Sequence, residues 1–182
     1  MRLNGKKCTL KQLLCLILYY AFARYLPVSY FPVFGGFSKW LRYHLCRVIF
    51  CRCGKNVNIE RLASFGSGLG IEIGDNSGLG IRCVIPANTV IGRDVMMGPN
   101  CYILGINHRF DDLETPMNKQ GYSQAKQCVI GDDVWIGRDV LMTPGRKIAN
   151  GTIVAARTVV CKDFPAFSII GGNPSRLIRM RK

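Results

Sequence analysis

The sequence predicts a β fold, a parallel β-helix of hexapeptide repeats preceded by N-terminal α-helices, on three observations. Aliphatic side chains recur at every sixth position, as Ile73, Leu79, Ile85, Ile91, Met97 and Ile103 and again as Ile130, Ile136, Met142, Ile148, Val154 and Val160. Four positions after most beats stands a small or β-branched residue, such as Cys83, Thr89, Val95, Cys101, Val134, Thr152 or Thr158. Before the repeats, Met1 to Ile59 holds ten Lys or Arg residues and no Asp or Glu. A helix repeats roughly every 3.6 residues and an alternating strand roughly every 2, so a beat of six marks an internal repeat.

The 182 residues allow one principal core, and 48% hydrophobic content excludes wholesale disorder. Residues 1–52 read as a basic, apolar helical extension. Its apolar run Leu13 to Ala23 is shorter than the roughly 20 residues a spanning helix needs. The same stretch, with Lys6, Lys7 and Lys11 before it and Ala21-Phe22-Ala23 at its end, also has the order of a signal peptide. Phe37, Trp40, Leu41, His44, Leu45, Val48 and Ile49 fall at helical spacing, with Lys39, Arg42 and Arg47 pointing elsewhere. That is a basic amphipathic helix with His44 packed on its apolar stripe. It either caps the repeats or lies with the preceding run on an anionic membrane surface.

Residues 53–164 form the repeat domain. Cys53, Ile59, Phe65 and Ile71 extend the beat upstream, with a two-residue slip before Ile73. Gly74, Gly80, Gly92, Gly98, Gly131 and Gly137 follow the aliphatic residues, where tight corners call for backbone freedom. Arg146 breaks the small-residue pattern and the repeat does not explain it. The beat stops after Ile103 for a loop, 104–129, longer than a turn requires, and functional loops are of this kind. It carries His108, the one histidine outside the amphipathic helix. Residues 165–182 are a capping tail, since a coil that touches only its neighbours needs closed ends.

Nine cysteines are scattered without a paired motif, and Cys51 and Cys53 stand too close for the usual zinc spacing. Free thiols in a reducing cytoplasm fit this pattern, and no metal is expected. The basic start lacks a nucleic-acid motif and shares its helix with a broad apolar face, so no nucleic acid is expected either.

The hexads, the loop with His108, Val134 to Gly137 (VWIG) and Gly171 to Arg179 (GGNPSRLIR) together resemble the hexapeptide-repeat acyltransferases. The likeness is to the branch of maltose and galactoside O-acetyltransferases and the acetyltransferases of capsule, colanic acid and lipopolysaccharide synthesis. It covers about residues 53 to 182. The resemblance implies a left-handed coil, a homotrimer, acetyl-CoA as acyl donor and a sugar or lipid-linked glycan as acceptor. It implies His108 as the general base, and an imidazole suits the removal of a hydroxyl proton near neutral pH. Aligned positions imply donor contacts at Gly137, Arg138, Ala156, Cys161, Lys162, Arg176 and Arg179, where small residues admit the pantetheine arm and cations meet phosphates. Ser77, Asn100 and Asp111 are the candidates for acceptor binding. The expected setting is the cytoplasm, with residues 1–52 touching the inner face of the membrane. Antibiotic acetyltransferases of the streptogramin and chloramphenicol type share the same loop and tail and remain an alternative, as does a membrane-bound scaffold without activity. Three-histidine zinc enzymes of this fold are excluded, because the repeats hold one histidine.

Overall fold

The computed structural model describes residues 2–3 and 5–182, and in it the hexads wind as a three-sided parallel coil. One side stacks Arg52–Cys53, Glu72–Ile73, Val90–Ile91, Val129–Ile130 and Lys147–Ile148. The second stacks Asn58–Ile59 on Gly78–Leu79, then Met96–Met97, Trp135–Ile136, Ile153–Val154 and Ser168–Gly171. Tyr102–Ile103, Leu141–Met142 and Val159–Val160 make the third, continued towards the start of the chain by bridges at Val84 and Ser64. Every parallel strand pair of the first side sets beat over beat, so Ile73, Ile91, Ile130 and Ile148 form one column. Of the twelve beat residues, eleven are buried and Met97 is partly so. Truncating one of them to Ala would cost roughly 2–5 kcal/mol, because neighbouring coils cannot close a hole in a rigid prism.

The corners are as ordered as the core. Ser77, Cys83, Thr89, Val95, Cys101, Val134, Val140, Thr152 and Thr158 are all buried there. Asn76, Asp94, Asn100, Asp133 and Asp139 take positive φ, a region that Asn and Asp enter more readily than other side chains. The glycines after each beat serve a different purpose from the one expected. Gly80 and Gly137 lie outside the positive-φ region, but a Cβ on Gly80 would sit 2.2 Å from the Gly98 carbonyl oxygen and one on Gly137 would sit 2.6 Å from the Ala156 nitrogen. Close stacking of coils excludes a side chain at these positions.

Two helices close the first coil, α1 (Leu10–Ala21), capped by Thr9 and Gln12, and α2 (Gly35–Ile49). Tyr19 donates to the Ala63 carbonyl at 2.9 Å, and the Tyr20 hydroxyl accepts from the Phe65 nitrogen at 2.9 Å. The two-residue slip lies beneath α2, where Gly68 has positive φ and a Cβ would meet Ile49 at 2.8 Å.

The buried face of α2 is rotated relative to the sequence expectation: Leu45 and Ile49 are buried and Leu41 packs on the core as the spacing required, but one edge of the stripe is exposed and an arginine takes its place. Arg42 is fully buried among Ser38, Leu45, Cys46 and Ile49, whereas Phe37, Trp40 and His44 face outward. A buried guanidinium needs many acceptors, and Arg42 donates to the carbonyls of Ile59, Leu26 and Pro27 and pairs with Glu60 at 3.7 Å. His44 is therefore a surface residue, with Nδ1 2.8 Å from the Trp40 carbonyl and its ring against the Trp40 indole. At the other end the coil runs past residue 164, because Ser168–Gly171 pairs in parallel with Ile153–Val154, and Arg176–Met180 turns back antiparallel to cover it.

Candidate active site

The interruption of the beat is a hairpin set on a corner. Asn107 and Ser123 pair through the Ser123 nitrogen on the Asn107 carbonyl at 2.8 Å, and the Ser123 hydroxyl also holds Asn107. Arg109 donates to the Gly121 carbonyl at 3.1 Å, so His108 is left directly opposite Tyr122. The two rings stack with centroids 4.5 Å apart. At the tip the Gln120 side chain donates to the carbonyls of Asp112 and Thr115, while Asp112 accepts from the Glu114 nitrogen. Hydrogen bonds from Thr115 and Glu114 hold the Asp112 carboxyl below its ordinary value. Cys128 is buried and Val129 already belongs to the next strand, so the loop proper ends at residue 127. A loop of this length would blur the position of a reacting side chain, and the rungs at Asn107 and Arg109 define where His108 sits.

His108 opens on a cavity of about 360 Å³ lined with Asn107, Arg109, Asp111, Lys126, Thr143 and Arg146 among others. Its imidazole has no hydrogen-bond partner among the described residues, which leaves a ring nitrogen free to take a proton from a bound hydroxyl. Arg109 pairs with Asp111 at 3.9 Å at the rim. Arg146, which the repeat pattern left unexplained, forms part of the wall. Its Nη1 donates to the Cys161 carbonyl at 3.1 Å and pairs with Asp163 at 3.4 Å, while its buried Nε has no partner among the described residues.

The other candidates divide between two corners of the prism. Cys161 and Lys162 follow the third side, at the corner that also carries the His108 hairpin and Arg146. Gly137, Arg138 and Ala156 follow the second side, one prism face away, where Gly137 stacks on Ala156. Arg176 and Arg179 lie exposed on the tail strand, and the Ser175 hydroxyl accepts from the Cys161 nitrogen at 3.3 Å. The side-chain hydrogen bond of Ser175, helped by Lys162, holds the exposed Cys161 thiol below its ordinary value.

Of the acceptor candidates, Asp111 joins the His108 cavity and the other two do not. Ser77 requires correction, since its buried hydroxyl donates to the Gly92 carbonyl at 2.7 Å and accepts from the Val95 nitrogen at 3.0 Å. It is a corner staple, buried and with its only proton already engaged. Asn100 is likewise a corner residue, with positive φ and Nδ2 on Asp139 at 2.9 Å. Sequence reasoning missed Tyr122, Ser123, Lys126 and Thr143, which carry no repeat signal. It could have reached Arg146 through its violation of the small-residue position.

A family model described as bacterial transferase hexapeptide (six repeats) matches residues 70–105. YJL218W of Saccharomyces cerevisiae, which carries the description acetyltransferase, is 36% identical over 135 residues, covering 73% of this chain and 67% of that protein. WcaF of Escherichia coli K12, named for colanic acid biosynthesis, is 29% identical over 145 residues, 79% of this chain and 76% of that one. Among solved structures, a maltose O-acetyltransferase from Clostridium difficile 630 superposes with a TM-score of 0.75 at 28% identity, over 94% of this chain and 87% of that one. A hexapeptide-repeat acetyltransferase from Vibrio cholerae, solved with acetyl-CoA, superposes with a TM-score of 0.69 at 31% identity, over 78% and 76%.

Proposed function

The chain belongs to the hexapeptide-repeat acetyltransferases, and from that premise we propose that it moves an acetyl group from acetyl-CoA to a sugar hydroxyl in a surface polysaccharide or its lipid-linked precursor, with His108 as general base. The observation that carries this reading is the free His108 imidazole, placed by paired rungs at the mouth of a polar cavity. A ring nitrogen takes the acceptor hydroxyl proton as the oxygen attacks the thioester carbonyl. The new C–O bond forms, the C–S bond breaks, and coenzyme A leaves as the thiol with that proton.

Donor recognition in this reading falls to Gly137, Arg138 and Ala156 for the pantetheine arm and to Cys161, Lys162, Arg176 and Arg179 for the nucleotide end. Their separation onto two corners supports a donor cleft shared between copies, each copy supplying one corner, as in a homotrimer. Asp111 at the cavity rim is the acceptor contact retained. The polysaccharide setting is supported by the name of WcaF and by the basic, apolar start of this chain.

The test is mass spectrometry of surface polysaccharide from cells with and without the gene, together with thiol release from acetyl-CoA by the purified protein. Loss of one acetyl per repeating unit, restored by the wild-type gene and not by the His108→Ala variant, is expected. Unaltered polysaccharide, or turnover confined to chloramphenicol or a streptogramin, would overturn the assignment.

A further inference from the structure

We propose that the outward face of α1 lies on an anionic lipid bilayer, seated by an apolar row and by the lysines at its start. The proposal concerns where the protein sits and stands apart from the transfer reaction.

A helix with one apolar face is accounted for by the core it covers, but α1 has two. Tyr19, Cys15 and Leu16 face the coil. On the opposite side Leu10, Leu14, Ile17, Leu18 and Phe22 are exposed, with Leu10 at 73% and Ile17 at 54%. Their spacing of four, three, one and four residues puts them on one stripe, and a helix apolar on every side is ordinarily covered on every side. Tyr25, Tyr30, Phe31 and Phe34, which follow the helix in the chain, are exposed as well. An apolar area of this extent on one element marks an interaction surface.

Charge selects the occupant. Lys7 and Lys11 stand exposed at the start of α1, Lys7 on the hairpin Arg2–Leu3 with Lys6–Lys7, whereas the Lys6 amine lies against Gly70 of the coil. No acid occurs before Glu60, and Glu60 is already engaged by Arg42 and Ser29. None of these lysines makes an ion pair among the described residues. A second copy docked on this face would bring lysine against lysine, whereas a bilayer with anionic headgroups offers hydrocarbon to the row and phosphates to the cations. The twelve residues of α1 rise about 18 Å, well short of the roughly 30 Å hydrocarbon layer. No helix among the described residues is long and apolar enough to cross a membrane, so the helix rests in the headgroup plane.

Sedimentation of the full chain with vesicles tests this. Pelleting with phosphatidylcholine–phosphatidylglycerol vesicles, weak pelleting with phosphatidylcholine alone, and release by salt are expected. Ile17→Glu combined with Leu18→Glu should lower the partition coefficient at least about tenfold, leaving light-scattering mass unchanged. Leu14→Trp, a milder change on the same row, should gain emission that brominated lipids quench. Absence of pelleting with anionic vesicles, equal pelleting of the double variant, an added emission in Leu14→Trp that brominated lipids leave unquenched, or a fall in mass of the double variant would each overturn the proposal, the last by showing that another copy covers the face.

Discussion

Arg146 ties the wall of the His108 cavity to Cys161, with its Nη1 3.1 Å from the Cys161 carbonyl oxygen and its other contact, Asp163, at 3.4 Å. The corner of one coil is thereby braced against the corner of the next, where Lys162 stands. Arg146→Ala should raise KM for acetyl-CoA about tenfold while lowering kcat less, because the bracing sets the place of donor-binding groups more than that of the base. Steady-state kinetics with a melting curve checks it. An unchanged KM in a folded variant would make Arg146 a structural residue alone.

The second prediction concerns the buried pair Arg42 and Glu60, which fastens α2 to the first coil. Arg42→Ala should cost about 3–5 kcal/mol, because it removes the cation facing a buried carboxylate and leaves three carbonyls without their donor, whereas Arg42→Met with Glu60→Leu should recover much of that loss. Burial pushes the Glu60 carboxyl up, but hydrogen bonds from Ser29 and Asn58 outweigh it and hold the group below its ordinary value. A depressed folded value stabilises the protein fully above the unfolded value of about 4.3 and is lost as pH falls through the folded one. Denaturant midpoints should therefore drop on acidification below about pH 4, and less so in Glu60→Gln.

That pair also marks how far the sequence was legible. Period six announced the coil, and the beat residues are buried as the spacing required, because a side chain at a beat has only the prism interior to enter. The face of α2 was misread, because an arginine was assigned to solvent and its acceptors come from Leu26, Pro27, Ile59 and Glu60, which no local pattern connects. The same holds at the candidate site. His108 stood out by interrupting the beat, but Lys126 and Thr143 join it only through the hairpin fold and the next coil. Ser77 looked available in the sequence and is consumed by Gly92 and Val95.

Cys161 should be the most readily alkylated thiol that acetyl-CoA protects. It is exposed, and its hydrogen bond with Ser175 and the nearby Lys162 favour the thiolate. The pH midpoint of iodoacetamide labelling should lie below the ordinary thiol value of about 8.5. Cys161→Ser should keep kcat within about threefold, since direct transfer requires no acyl-enzyme. Intact mass with donor alone reads any acyl-enzyme, and stoichiometric acetylation of Cys161 that is passed on to acceptor would replace the proposed mechanism.

Met96, Trp135 and Ile153 form a ladder on the outer surface of the second side, with Trp135 52% exposed and Met96 63% exposed. The proposed cleft between copies would place a neighbouring copy on this ladder. Trp135→Glu should reduce the light-scattering mass from that of a trimer and lower turnover in parallel. A parent protein that is monomeric yet active would remove the shared-cleft reading.

The last prediction falls on His108. Its place is defined by rungs at Asn107–Ser123 and Arg109–Gly121, so substitution of the ring alone should leave the hairpin intact. His108→Ala should lower kcat by roughly 10²- to 10⁴-fold, the ordinary contribution of a positioned base. Acetyl-CoA affinity should stay within about twofold, because the groups assigned to the phosphates, Lys162, Arg176 and Arg179, lie two coils on and on the tail strand. Lys162→Ala should show the reverse pattern, with weaker donor binding and near-normal saturated turnover. The contrast separates chemistry from binding: equal losses in both variants would mean that His108 holds the donor, and an unaltered kcat in His108→Ala would remove it from the reaction.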